Sequence, residues 1–416
     1  MSRRLTSAFW IVAIGLATGL AVLAAKAVAP EPISRFQIAV ADWLFLSDTG
    51  PRLGRRPPTK RIVLVLYDQR SAKALGSLPS FDEDLQLYRN LIDADAEIVA
   101  DTRMVANAGD DDLPKVEAFL QDMLDIAPPG RLYRDVWLPA TWPPERMATY
   151  RPLIAHNLAS MHPVAEGFYD SRIYPFVTLA TDGLHETLPL VLARRTMDLP
   201  PATSDDLAQR LKRSGIAAQW ERRMPEGYTL PEAFRSDQMD VAPFELGELE
   251  IEWSGFTTNS MLVPPAGFWI SYAGPPSDYT RYSYVDVLRG ETPDELAGKI
   301  VLIGYDAAID PTADTFDVPT SARRGGAPEV AAAALETLVV PRLIRTPAPA
   351  AISCLVLVAA CISAVVGGVL RPLYAVLAVI VLIVAYAGVA TLVYREGWLV
   401  DLVLVPAAVL IAATGG

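Results

Sequence analysis

Four apolar runs decide what this 416-residue chain can become. Ala8–Ala25 is interrupted by one threonine only, and Ala348–Leu370, Leu373–Tyr394 and Trp398–Ala413 follow one another closely near the end. No water reaches the interior of a bilayer, so a lipid-exposed segment must satisfy its own backbone hydrogen bonds, and a helix does this within one segment. The sequence therefore predicts one N-terminal transmembrane helix, a long water-exposed stretch and three C-terminal transmembrane helices. The boundaries expected are 1–26 for the cytoplasmic tip and first span, 27–347 for an extracytoplasmic domain, and 348–416 for the last three spans. Ala8–Ala25 exceeds the 7–15 residues of a secretory h-region, which favours an uncleaved anchor. The alternative is a signal peptide, with Arg3 and Arg4 as its basic flank and Ala25-Lys26-Ala27 as its cleavage site.

Flanking charge gives the orientation. Arg3 and Arg4 favour a cytoplasmic N-terminus, and Arg371 then falls in a cytoplasmic turn, whereas Arg342 and Arg345 weigh weakly against this. Small residues on the second span (Ala359, Ala360, Ser363, Ala364) suggest close antiparallel packing against the third. The two cysteines, Cys354 and Cys361, both lie in the second span, so residues 27–347 can form neither a disulfide nor a cysteine metal site. The net charge of −12, with no basic stripe, argues against nucleic acid as a partner.

Within 27–347 the clearest element is Gly298–Asp310, GKIVLIGYDAAID. Lys299–Ile303 is a continuous apolar, β-branched run without alternation, the pattern of a strand covered on both faces of a parallel sheet. TPDELAG before it reads as a capped helical turn from Thr292, and PEVAAAALETLVV after it as a helix between Pro328 and Pro341. Arg61–Asp68 (RIVLVLYD) and Glu97–Asp101 (EIVAD) read as two more buried strands. Ser80 and Glu83 form a capping box between them. Asp110–Asp112 precede the amphipathic helix PKVEAFLQDMLDI, and RLYRDVWLPAT reads as a further strand. Strands alternating with such helices predict an α/β fold with a mainly parallel sheet. Pro30–Leu46 has helical spacing, and GPRLGRRPPTKR is a linker. Residues 131–269 are weaker in period, with a helix at SDDLAQRLKRSG, and 221–265 read as loops with edge strands.

No standard reaction motif is present. His156, His162 and His185 lack the HExxH spacing, and there is no nucleophile elbow, phosphate loop or dinucleotide fingerprint. The expectation is therefore no catalytic residue, no metal and no cofactor. What the chain does place at predicted strand ends is carboxylates: Asp68, Asp101 and Asp306, with Asp310, Asp314 and Asp317 nearby. The C-terminal ends of parallel strands share one edge, where α/β proteins bind ligands. Asp68, Asp101 and Asp306, with Tyr67 and Tyr305, are the candidate ligand-binding residues. Three neighbouring carboxylates repel one another and are expected to hold a cation or raise one pKa. The plainer reading is that each caps a turn or helix.

The order of these segments resembles a known family. The first span is followed by RIVLVLYDQRSAKALG, EIVADTRM, GFYDSRIYPFVTLATDGLHETLPLVLARR, GFWISYAGPP, YSYVDVLRGETPDELAGKIVLIGYDA and DTFDVPTSARRGGAPEVAAAALETLVVPRLIRTP, then three spans. This is similar to the type-2 CHASE domain (CHASE2), an extracytoplasmic sensory input of bacterial receptors, and most specifically so over Tyr284–Thr346. Three features depart from the family: SLPSFDED replaces a Trp-Pro-rich segment, Ala332 or a neighbour replaces a histidine in the last helix, and 221–265 looks like an insertion. The resemblance implies a multi-pass protein of the inner (plasma) membrane that reads an unknown extracytoplasmic ligand. Its output would go to a cytoplasmic effector, fused or separate: a histidine kinase of two-component type, an adenylate cyclase or another kinase, lying beyond Gly416 or in a partner. A homodimer is compatible with it. The chain itself is then expected not to be an enzyme. Two rival readings stay open: an envelope enzyme using Asp68, Asp101 and Asp306, and a membrane scaffold.

Overall fold

The structure, a computed structural model, describes residues 3–46, 53, 57–105, 113–139, 141–157, 173–180, 182–224, 232–234, 236, 242–252, 254–255, 266–273, 278–291, 294–309, 315–316, 325–340, 343–345 and 347–415. Asp110–Asp112, Thr292, Pro293, Asp310, Asp314, Asp317, Pro341 and His162 lie outside them. Two units divide the chain: Met1–Arg55 with Ile344–Gly416, and Arg56–Leu343.

The first unit is helical. It holds α1 (Arg3–Val28) and α2 (Pro30–Phe45), and from the end of the chain the helices here called αX (Pro349–Val369), αY (Pro372–Arg395) and αZ (Leu404–Gly415). Trp10–Val28, αX and αY are long and apolar enough to cross a membrane. αZ, at 12 residues, is not: it is about 18 Å long against a hydrocarbon core of about 30 Å. The expected fourth span from Trp398 starts late because Trp398–Val403 does other work. Leu399 N–H donates to the Arg345 carbonyl and Arg345 N–H to that of Gly397 (2.8 and 2.7 Å). Asp401 Oδ1 then caps αZ, accepting from Val403 and Leu404 N–H (3.0 and 2.7 Å).

Small residues choose the partners of αX. Val356, Ala360 and Ala364 pack with Val22 of α1 and with Leu404, Val405, Ala408 and Ala412 of αZ, and Ser363 Oγ donates to the Val409 carbonyl (2.6 Å). The seam expected to face αY thus serves α1 and αZ instead. Glycine decides it: a Cβ on Gly15 would stand 2.7 Å from Cys361 Cα, and one on Gly367 would stand 2.4 Å from the Ala413 carbonyl oxygen. αY keeps Leu373, Val381 and Val384 well exposed. At one end of the bundle Lys26 Nζ lies 3.4 Å from the buried Asp401 carboxylate.

The second unit is α/β. Its main sheet contains β1 (Ile62–Tyr67), β2 (Ile98–Val105), β3 (Leu132–Val136), and two strands from much later in the chain, here βA (Thr280–Ser283) and βB (Ile300–Tyr305). The order is βA-β1-βB-β2-β3, and every neighbouring pair is parallel. Ile62–Tyr67 and Ile300–Ile303 are buried along their lengths. Full burial of each such side chain contributes about 1.5–3 kcal/mol, which is why these two runs form the centre.

One face of the sheet (Val63, Val65, Val99, Leu132, Val301, Ile303) is covered by α3 (Gln69–Leu75), α4 (Phe81–Asp93) and α5 (Leu113–Ile126), with Leu85, Tyr88, Leu91, Val116 and Phe119 at the contact. Asp68 caps α3, and the Ser80–Glu83 box opens α4. The other face meets the buried helix αB (Ala327–Val339), which follows βB. Gly304 makes that approach possible, because a Cβ there would fall 2.6 Å from Pro328 Cγ and 2.6 Å from Thr102 Oγ1. Between β3 and βA the chain builds short antiparallel pieces, among them the hairpin Val177–Ala180 with Gly183–Glu186. The segment LHETLPLVLARR completes this hairpin and then forms the helix Leu188–Thr196. Ser204–Arg213 is helical as its pattern predicts.

Candidate functional site

Alternation along β2 sets the site. Asp101 and Arg103 point to the α4/α5 face of the sheet, while Thr102 points to the other and donates to the Ile303 carbonyl (2.7 Å). On the neighbouring strand β3, Arg134 stands in register with Asp101. Helix α4 brings Asp84 and Tyr88 down onto these three, and Tyr284, which opens the short helix Tyr284–Leu288, closes the group. All six side chains are buried.

The partners are saturated on the acidic side. Asp101 Oδ1 accepts from the backbone N–H and Nε of Arg103 (3.0 and 2.9 Å). Its Oδ2 accepts from Tyr88 Oη (2.8 Å), from Arg103 Nη2 and from Arg134 Nη1. Asp84 accepts from Arg103 Nη2 and from Tyr284 Oη (2.7 Å), and lies 3.3 Å from Arg134 Nη1. The Arg103 guanidinium also lies 5.1 Å from the Tyr284 ring centre and 5.8 Å from that of Tyr305. Two carboxylates and two guanidiniums leave the group formally neutral, the condition under which buried charge is tolerated. Burial alone would raise the pKa of Asp101, but Arg103 and Arg134 outweigh it and hold the carboxyl below its ordinary value. Burial pushes the Tyr88 and Tyr284 phenols up, so they act as neutral donors.

The five residues singled out from sequence divide into two sets. Asp101, Tyr67 and Tyr305 come together: the Tyr67 ring meets Tyr305 and Tyr284 edge-on at 5.9 Å, beside Arg103. Asp68 and Asp306 turn to local work. Asp68 Oδ1 accepts from Ser71 N–H and Oγ (both 2.9 Å) and from Ser283 Oγ (2.8 Å). Asp306 Oδ1 accepts from Ala308 N–H (2.9 Å) in the turn after βB. The expected self-repelling cluster is therefore corrected: the three carboxylates have separate partners, and the pKa of Asp101 is lowered by arginine rather than raised by neighbouring acid. Among the described residues, no group of three or more His, Cys, Asp or Glu side chains could hold a metal ion.

Asp84, Tyr88, Arg103, Arg134 and Tyr284 escaped the sequence reading. It ended β2 at Asp101, whereas the strand runs to Val105. A strand continued by two residues puts Arg103 on the same face as Asp101, and that period-two spacing of opposite charges was the available signal.

A second junction concerns how the domain begins and ends. Glu336, buried near the end of αB, accepts from Thr59 N–H (2.9 Å) and from Tyr279 Oη (2.8 Å). Thr59 stands three residues before β1 and Tyr279 one before βA. One carboxylate therefore joins the segment that enters the domain to the helix that leaves it.

Among known proteins, the sequence profile described as the CHASE2 domain matches residues 17–370. No curated protein and no solved structure matches.

Proposed function

The chain belongs to the CHASE2 family of sensory extracellular domains, and from that premise we propose that it is the input module of a membrane receptor. In this reading residues 27–347 sense a ligand outside the cytoplasm of a multi-pass inner-membrane protein, residues 348–416 carry the response inward, and a cytoplasmic effector, fused or separate, acts on it. The chain contributes no catalysis of its own. Three helices long enough to cross a membrane support the membrane placement.

The observation that carries the transmission step is the Glu336 junction. Because the carboxylate holds Thr59 and Tyr279 at once, a displacement of αB changes the relation between the domain's two membrane-side connections. The ligand region proposed is the C-terminal edge of β1, βB and β2, with Asp68, Asp306, Tyr67 and Tyr305 around it. Asp101 acts there as the anchor that holds Arg103 and Arg134 in place. Strong switching needs a ligand that binds one arrangement about 10⁴-fold better than the other, roughly 5.5 kcal/mol.

The test joins the catalytic domain of a nucleotide cyclase after Gly416 and measures cyclic nucleotide in cells. Glu336→Gln, which weakens the junction, and Ile303→Asp, which unfolds the sensing domain, are each expected to shift output from the wild-type level at equal protein abundance. Output unchanged in both variants overturns the input-module reading.

A further inference from the structure

β3 carries charge on both faces. Arg134 belongs to the network above, and the next residue, Asp135, points the other way and is buried. There the two described histidines meet. His156 Nδ1 donates to Asp135 Oδ1 (3.3 Å) and its ring stacks on Trp137 at 4.3 Å. His185, on the hairpin strand Gly183–Glu186, donates from Nε2 to Asp182 Oδ1 (2.6 Å). The two imidazoles lie 5.2 Å apart, edge to face, and are only 2 % and 7 % exposed. These hydrogen bonds leave His156 Nε2 and His185 Nδ1 as the basic nitrogens.

We propose that this pair is a proton-binding site, and that acidification outside the cytoplasm is a signal the domain reads. The proposal rests on the sensory reading above and adds the proton as an input separate from the ligand proposed for the strand edge. A proton passes from hydronium to His185 Nδ1, leaving water.

The surroundings show what each proton does. Among the described residues, the other charged groups facing the pair are Asp135 from β3, Asp182 from the hairpin turn, and Arg151, whose Nη1 is 3.9 Å from Asp182 Oδ2. Glu186 and Arg194, next along the chain, are bound to each other. Helix Ser204–Arg213 contributes only a hydroxyl here, Ser204 Oγ, to Leu184 N–H (2.9 Å). A proton on each ring would put two imidazolium rings in contact away from water. Burial, reinforced by His156 and Arg151, outweighs the support of Asp182 and lowers the pKa of His185. The folded arrangement is therefore intact above the ordinary value of 6.5 and loses stability as pH falls from there through the lowered pKa.

The site is wired to the helix that leaves the domain. The His156 carbonyl accepts from Leu188 N–H (2.8 Å), the first residue of helix Leu188–Thr196, and that helix packs on αB. Separation of the rings therefore pulls on the start of a helix in contact with the output element.

The chain has three histidines, so the full-length protein labelled with ¹⁵N-histidine and held in lipid nanodiscs gives an assignable titration between about pH 8 and pH 5. His162→Gln identifies the third signal. The expected result is that His185 titrates below its ordinary range, that Asp182→Asn moves its midpoint further down, and that His156→Gln moves it up. Hydrogen exchange of residues 187–196, corrected for the intrinsic effect of pH, is expected to quicken severalfold and reversibly over the same range, and to lose that increment in His185→Gln. The proposal is overturned if His185 does not titrate in this range, if Asp182→Asn leaves the midpoint in place, or if exchange in wild type and His185→Gln coincides. These readouts need no effector, so their failure removes the proton as ligand while the cyclase fusion separately decides the sensory reading.

Discussion

Asp101→Asn is the sharpest test of the buried charge group. In the wild type, Asp101 and Asp84 face Arg103 and Arg134, and Asp101 also accepts from Tyr88 and from the Arg103 backbone. The substitution keeps the size of the side chain and removes one charge, so Asp84 alone must balance two buried guanidiniums. Breaking one partner of a buried ion pair costs about 3–5 kcal/mol, a large fraction of the roughly 5–15 kcal/mol that stabilises a folded domain. Urea unfolding of the full-length protein in detergent, followed by tryptophan fluorescence, should show the unfolding free energy falling by that amount, seen as a lower midpoint at unchanged slope. Adding Arg134→Met removes the surplus cation and should recover part of the loss, which an independent pair of sites would not do. Acid sharpens the test. Because Asp101 is held below its ordinary value of 3.8, its contribution is complete above 3.8 and disappears as pH falls through the lowered pKa. The Asn variant should lack that acid-dependent loss. A loss below about 1 kcal/mol, or additive losses in the double variant, would refute the idea that the group acts as one unit.

Three further outcomes follow from the packing. Ile303→Asp places an unpaired charge at a position with 0 % exposure in the central strand and should abolish the cooperative unfolding transition of the domain; a near wild-type melt would contradict the strand's central place. Gly15→Leu drives a side chain into the Cys361 backbone, so disulfide trapping between cysteines introduced on α1 and αX should fall sharply, and undiminished trapping would reject the glycine seam. With Cys354 and Cys361 replaced by alanine, single cysteines at Asp95, whose side chain is 85 % exposed, and at Arg371 should react with an impermeant maleimide from opposite sides of the membrane. Reaction of both from one side would refute the topology.

The parts of the fold that were readable are those where one physical term dominates. Ile62–Tyr67 and Ile300–Ile303 are apolar on both faces, and only a covered parallel sheet accepts such runs. The Ser80–Glu83 box and the Asp68 cap follow from short-range hydrogen bonding. The edge strand Thr280–Ser283, exposed or half-buried along its length, carries no comparable signal and was missed. The small residues of αX revealed that something approaches closely, but not which helix, since α1, αY and αZ are all apolar. For the candidate site, Asp101 was visible as a charge at the end of an apolar run, yet its partners come from α4, β3 and two residues further along β2, and Tyr284, nearly two hundred residues later, joins the group through Asp84. Long-range pairing of that kind leaves no local periodicity.

The position of βB has a consequence for how the protein is made. β1 and β2 emerge first, but they are not neighbours in the finished sheet: βB lies between them and binds both. Until residue 300 has been delivered, β1 has an empty edge and β2 another, both apolar and both able to pair with the wrong strand. The domain therefore cannot close progressively as it is synthesised. Its folding is set by high contact order, the regime of slow folding and exposure to aggregation. A chain of this design is most at risk during synthesis, before its last strand arrives, and deletions that remove βB should leave earlier strands that do not form a smaller stable sheet.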